Sequence, residues 1–191
     1  DGIRDGIVRL VGSEMCIRDR FQVVDASALA AYRLRLAFAT PLRPELDWPA
    51  YTDEEVARAL LGLVDKPTRL SDLRTHSVVD ALHWALGKEE RAALDRLAPT
   101  HVSLPGRKRV QVNYEVDRAP WIRSRLQDFL GAKEGPSVGG GSVPLVLHLL
   151  APNRRAVQVT TDLAGFWVNH YPALRKQLMR RYPRHAWPEK P

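Results

Sequence analysis

A single cysteine, Cys16, stands in a chain of 191 residues. One thiol excludes an internal disulfide framework and any cysteine-rich zinc site, and it fits a chain that folds in a reducing compartment. No apolar run approaches the ~20 residues that a membrane-spanning helix needs, and no signal peptide opens the chain. The expectation is a soluble, cytoplasmic protein with no membrane partner. The histidines, His76, His83, His101, His148, His170 and His185, never fall three or four residues apart, and no H-E-x-x-H pattern occurs. No helical face therefore offers paired imidazoles to a metal. No serine sits in a G-x-S-x-G setting. Neither a catalytic residue nor a metal ligand is assigned.

Acidic residues are also scarce where the chain ends. None occurs between Asp162 and Glu189. From Phe21 to Thr100 there are 10 basic and 12 acidic residues, net −2; from His101 to Pro191 there are 15 and 6, net +9, within a whole-chain charge of +7. A positive excess confined to one half points to a polyanionic partner, nucleic acid first among them, or to a solvated surface. The 45% hydrophobic and 27% charged fractions are those of an ordinary globular protein, and a chain this long buries about 70% of its unfolded surface.

Asp1 to Arg20, DGIRDGIVRLVGSEMCIRDR, lacks any period that would bury a face and nearly duplicates itself at DGIR and DGIVR. It resembles translated adapter sequence and is set aside from the fold, as a disordered or artefactual segment. Residues 21–98 read as a helical segment whose front edge looks truncated. VVDASALAAYRLRLAFA is rich in helix formers, and LRPELDWPA follows as a proline-punctuated connection anchored by Trp48. Thr52 and Glu55 form a capping box opening a helix that Asp65 to Pro67 stops. Ser71 to His76 is a turn-rich piece. Ser77 to Leu86 carries Val78, Val79, Leu82 and Leu86 on one stripe ended by Gly87, and Lys88 to Leu97 is a further helix.

At Pro99 the pattern changes, and residues 99–191 read as an α+β domain with a mainly antiparallel sheet and packed helices. His101 to Leu104 and Arg109 to Glu115 are strands around a Pro105–Gly106 turn, with Val110, Val112 and Tyr114 on one face. Pro120 is expected to open a helix, since Ile122, Leu126 and Phe129 are spaced four and three apart before Gly131. Ala132 to Ser142, AKEGPSVGGGS, reads as a flexible loop. The near-continuous apolar run Val143 to Leu150 reads as one buried strand, forming a hairpin with Ala156 to Thr161. Asp162 is placed to cap a short helix ending near Asn169, and Pro172 to start another. Trp167, Tyr171, Leu174, Leu178 and Tyr182 lie on one stripe across the two.

Specific motifs run through this half: PLVLHLLAPNRRAVQVTTDLAGFW, then YP-x-LRK-x-L-x-x-RYPRHAWPE, preceded by PTHVSLPGRKRVQVNYE and RLQDFLG. Together they resemble the C-terminal signature of the bacterial HrpB-type ATP-dependent helicases, relatives of the DEAH-box RNA helicases. The likeness covers Leu42 to Pro191. It implies an accessory C-terminal region of a larger motor that uses ATP and magnesium, with the helicase core of the same polypeptide as partner and single-stranded RNA or DNA as a further one. None of the motor's own residues can be carried onto this sequence. Gly139, Gly140 and Gly141 are the only glycine cluster, no Lys-Ser or Lys-Thr follows them, and no Asp-Glu-Ala-His run occurs. No cofactor-binding residue is assigned, and the fragment alone is expected to be inactive.

The remaining candidates are three basic groups: Arg107, Lys108 and Arg109 at a strand turn; Arg154 and Arg155 at the hairpin tip; and Arg175, Lys176, Arg180, Arg181 and Arg184 along the last helix and its exit. These can reach phosphate oxygens or pair with the helicase core. Tyr171, Tyr182 and Trp187 can offer stacking faces, although Tyr171 and Tyr182 fall on the buried stripe and read first as core. A protein–protein interaction module without nucleic-acid binding is the alternative reading.

Overall fold

A computed structural model describes residues 25–64 and 78–191. Residues 1–24, the Asp65–Pro67 stop and the Ser71–His76 piece lie outside the described residues. The chain divides into two compact units, one drawn from residues up to 33 and from 49–91, the other from 34–48 and 92–191.

The first unit holds the front of α1 (Ala26–Ala39), α2 (Asp53–Val64), α3 (Val78–Ala85) and the start of α4 (Lys88–Leu97). Asp25 accepts from the backbone N–H groups of Ser27 and Ala28 at 3.0 and 3.1 Å, satisfying donors that a helix start leaves unpaired. The Ser27 hydroxyl, with those amides, holds the Asp25 carboxyl below its ordinary range. The capping box forms as the sequence implies: Thr52 N–H donates to Glu55, and Glu55 N–H to the Thr52 hydroxyl. Tyr32 packs between Tyr51 and His83, and the Tyr51 hydroxyl donates to the Leu82 carbonyl at 2.7 Å.

The second unit contains the sheet. Its strands are β1 (His101–Leu104), β2 (Arg107–Glu115), β3 (Arg118–Arg125), β4 (Ser137–Val138), β5 (Val143–Pro144), β6 (Val146–Leu150) and β7 (Ala156–Thr160). Five of them form one sheet in the order β1-β2-β3-β6-β7, and β4 pairs with β5 alone. Three of the five-stranded sheet's pairings are antiparallel, whereas β3 and β6 run parallel. One face buries Val110, Val112, Tyr114, Ile122, Leu147 and Leu149. Phe38 rests against Tyr114, whose hydroxyl donates to the Pro99 carbonyl. Arg35, 8% exposed, donates to the Ala98 carbonyl and pairs with Asp95. The hairpin β6–β7 leads through Asp162, which accepts from Gly165 N–H at 2.7 Å, into α5 (Leu163–Asn169) and α6 (Tyr171–Arg181).

Three sequence expectations are corrected. The stretch after Pro120 is not helical: Arg118–Arg125 is β3, followed by a 3-10 turn at Leu126–Phe129. Pro120 falls where the β2–β3 register shifts between Asn113 and Glu115, so no regular ladder bond is lost to its missing N–H. Ile122 and Leu126, four apart, share a side in a strand as they do in a helix. Second, Ala132 to Ser142 is not one structureless loop. It contains β4 and a tight turn in which Gly139, Gly140 and Gly141 all take positive φ, at 64°, 69° and 101°. Those glycines answer a backbone demand. Third, the Val143–Leu150 run is split: Leu145, 1% exposed, donates its N–H to the Pro136 carbonyl, and the halves join different sheets.

The Pro105–Gly106 turn is held against the 3-10 turn, with Gly106 N–H donating to the Asp128 carbonyl at 3.0 Å. A Cβ on Gly106 would lie 2.8 Å from Asp128 Cα. Gly106→Ala is expected to destabilise the protein by about 1–3 kcal/mol in urea unfolding, the usual cost of overpacking against backbone. Burial also pushes the phenols of Tyr51, Tyr114 and Tyr171 up. Their neutral forms are favoured in the fold, so the contribution is full below the unfolded value near 10 and is lost as pH rises above it. The thermal midpoint should fall above about pH 10, and ultraviolet titration of tyrosine should lag that of the unfolded chain.

Candidate nucleic-acid interface

The first two basic groups are turn residues, and the order of the strands decides where they meet. Arg107, Lys108 and Arg109 open β2 and are exposed; Ser103 donates its hydroxyl to the Lys108 carbonyl, holding the turn closed. Arg154 and Arg155 are exposed in the β6–β7 turn, where Ala151 N–H donates to the Arg155 carbonyl and Arg154 N–H to the Ala151 carbonyl, both at 2.8 Å. Arg154 adopts φ 65°, a left-handed conformation that costs a non-glycine residue about 1 kcal/mol. Because β3 runs antiparallel to β2 and parallel to β6, the start of β2, the end of β3 and the end of β6 share one end of the sheet. The two turn groups therefore emerge at that end, with Arg125 beside Leu150 between them.

The third group belongs to the last helix. Lys176, Arg180 and Arg181 on α6, and Arg184 beyond it, are exposed. Arg181 lies 5.8 Å above the Tyr182 ring. Arg175 differs from the others. It is half-buried, its Nε donates to the Trp187 carbonyl at 2.7 Å, and its guanidinium pairs with Glu189 at 3.4 Å. The Tyr171 hydroxyl donates to the Pro188 carbonyl and the Trp187 indole to the Tyr182 carbonyl. Together these bonds fold the C-terminal tail back on α6, and they leave Tyr171 and Trp187 buried at 1% and 6% exposure. Those two rings are core, and Tyr182 is half-buried.

The sheet carries further basic residues that sequence spacing missed. On the side opposite the core, Trp121 and His148 are half-buried with ring centroids 4.9 Å apart. Arg123 is the β3 partner of His148 and is exposed, as are Arg118 and Arg125. The Trp121 indole N–H donates to Glu115 at 2.8 Å, and Arg118 donates to the other oxygen of the same carboxylate at 3.0 Å. The signal was present as a period of two, since Pro120, Ile122 and Ser124 are buried while Arg123 and Arg125 are exposed. Read as a helix, those arginines fell on no common face. Among the described residues, no group of three or more histidine, cysteine, aspartate or glutamate side chains is gathered as a metal site. No helix there is long and apolar enough to cross a membrane.

Residues 60–191 match the family model described as ATP-dependent helicase C-terminal, HrpB_C. A curated relative from Escherichia coli K12, ATP-dependent RNA helicase HrpB, is 36% identical over 163 residues, 83% of this chain and 20% of that protein. A crystal structure of the E. coli DExH-box NTPase HrpB superposes with a TM-score of 0.75 at 36% identity, covering 92% of this chain and 22% of that one. A second, of the Escherichia coli DEAH/RHA helicase HrpB, gives 0.65 at 34% identity, with 90% and 22% covered. The chain spans about a fifth of the length of these relatives.

The tail contacts yield a test that separates the bond to Trp187 from the ion pair with Glu189. Arg175→Ala is expected to cost about 1.5–3 kcal/mol, because it deletes a charged donor to a part-buried carbonyl. Glu189→Gln should change stability by less than about 1 kcal/mol, since that carboxylate is 81% exposed. Urea unfolding followed by tryptophan emission measures both.

Proposed function

This chain belongs to the family of HrpB-type ATP-dependent helicase C-terminal regions, and on that premise we propose that it is a passive accessory region, docking on the helicase core of its own polypeptide and extending the nucleic-acid path. ATP and magnesium are handled in that core, outside this chain, and the protein works in the cytoplasm. The observation that carries the nucleic-acid part is topological. Arg107, Lys108, Arg109, Arg125, Arg154 and Arg155 converge on one end of the sheet, and an array of exposed guanidinium and ammonium groups recognises phosphate without needing base contacts. Lys176, Arg180, Arg181 and Arg184 add cations along α6.

Docking, in the second reading the whole role of a protein–protein module, is favoured by Trp84. It is 71% exposed, with the Arg91 guanidinium 4.5 Å from its ring centre. An exposed tryptophan stacked under an arginine is the kind of pair that anchors protein interfaces.

Binding of the 191-residue chain to a fluorescent single-stranded RNA, titrated between 50 and 200 mM salt, tests the reading. Each phosphate contact adds about 0.7 to the salt slope, so three or more contacts give a slope steeper than about −2. Arg154→Gly removes one cation while relieving the left-handed strain, and is expected to lower the slope by about 0.7 without lowering the thermal midpoint. A flat slope, or no complex at low salt, leaves the protein-interaction reading. Hydrolysis of ATP by this chain alone would contradict both.

A further inference from the structure

The arginine clusters explain attraction to phosphate, but they leave the ring pair at the centre of the open sheet face without a role. We propose that this face, centred on Trp121 and His148, binds single-stranded nucleic acid by stacking unpaired bases between arginines. The inference rests on the nucleic-acid reading above, and adds to it a place and a strand preference.

The rings are held in position before any ligand arrives. Glu115 fixes the Trp121 indole through its N–H, and the Asn113 side-chain amide donates to the Trp121 carbonyl at 3.4 Å. His148 stands beside the indole on β6, with Val159, 48% exposed, opposite it on β7. Two rings and a valine thus form a solvent-facing strip across three neighbouring strands. Strands lie about 4.8 Å apart, so the strip crosses about 10 Å, on the scale of one or two stacked bases. Such a surface gains by taking a flat π-face out of water, and a base offers one whatever its sequence.

Charge selects the occupant. Arg123 and Arg125 follow Trp121 at every second position of β3, and Arg107 and Arg109 alternate with the buried Val110 on β2, so four exposed cations share this side. The carboxylate beside the rings, Glu115, is already bound to Trp121 and paired with Arg118. A positive, ring-bearing face with its neighbouring carboxylate engaged suits a polyanion that also presents aromatic faces. Duplexes hide those faces in their stacks, which leaves single strands as the fit.

The test uses the 191-residue chain with a labelled 12-nucleotide poly-uridine RNA and a duplex of equal length. Binding of the single strand should quench tryptophan emission. Trp121→Ala should weaken affinity about tenfold and remove most of that quench, while Trp121→Phe stays near wild type. Arg123→Glu, on an exposed side chain, should weaken binding and flatten the salt slope while leaving the thermal midpoint in place. Wild-type affinity in both Trp121→Ala and Arg123→Glu, combined with loss on charge reversal at Arg180 and Arg181, would overturn the sheet-face proposal and leave the basic-surface reading standing. No binding by any form would overturn both. Shielding of Trp121 from acrylamide by a helicase polypeptide lacking this region, with no RNA present, would assign the face to protein and overturn it too.

Discussion

The parallel pairing of β3 with β6 governs this domain. Five consecutive registers tie Trp121 to Val146 and so on to Arg125 with Leu150, in a sheet otherwise antiparallel. Parallel neighbours cannot be joined by a tight turn, because the chain must travel back the full strand length first. Residues 126–145 make that return through the 3-10 turn, β4, the glycine turn and β5. The direction of β6 then sends the β6–β7 turn out beside the β1–β2 turn. Had β6 run the other way, Arg154 and Arg155 would stand at the opposite end from Arg107 to Arg109.

The same pairing sorts the side chains of β3. Ile122 and Leu147 face inward as partners, both at 0% exposure, and each such side chain contributes about 1.5–3 kcal/mol when fully buried. Arg123 and His148, the next pair, face outward. A one-residue slip would exchange the two sets, driving a guanidinium into the core, so the apolar side fixes where the basic side appears. Ser124, a polar exception at 2% exposure, is satisfied by the Asp128 carboxylate, which also accepts from Arg125 N–H and ends the strand.

Local signals carried much of this into the sequence. The Thr52–Glu55 box, the Asp162 cap, the bounds of Lys88–Leu97 and of His101–Leu104, and the buried trio Val110, Val112 and Tyr114 all follow from short-range patterns. What escaped depends on partners distant in sequence. Ile122, Leu126 and Phe129 satisfy helical spacing, and only pairing with β2 and β6 on either side makes the first of them a strand residue. The apolar run from Val143 hides a break because the carbonyl that takes Leu145 N–H belongs to Pro136. The tie from Arg175 to Trp187 is likewise a contact across a folded-back tail, which no spacing rule announces.

The functional account comes down to a sheet with one side committed to packing and the other left to rings and cations. Ultraviolet cross-linking of the chain to single-stranded RNA, with the modified residues located by mass spectrometry, addresses it most directly. The account predicts adducts at Trp121, His148 and the turns carrying Arg107 to Arg109 and Arg154 to Arg155. Adducts confined to α6 and the C-terminal tail, with the sheet unmodified, would contradict it.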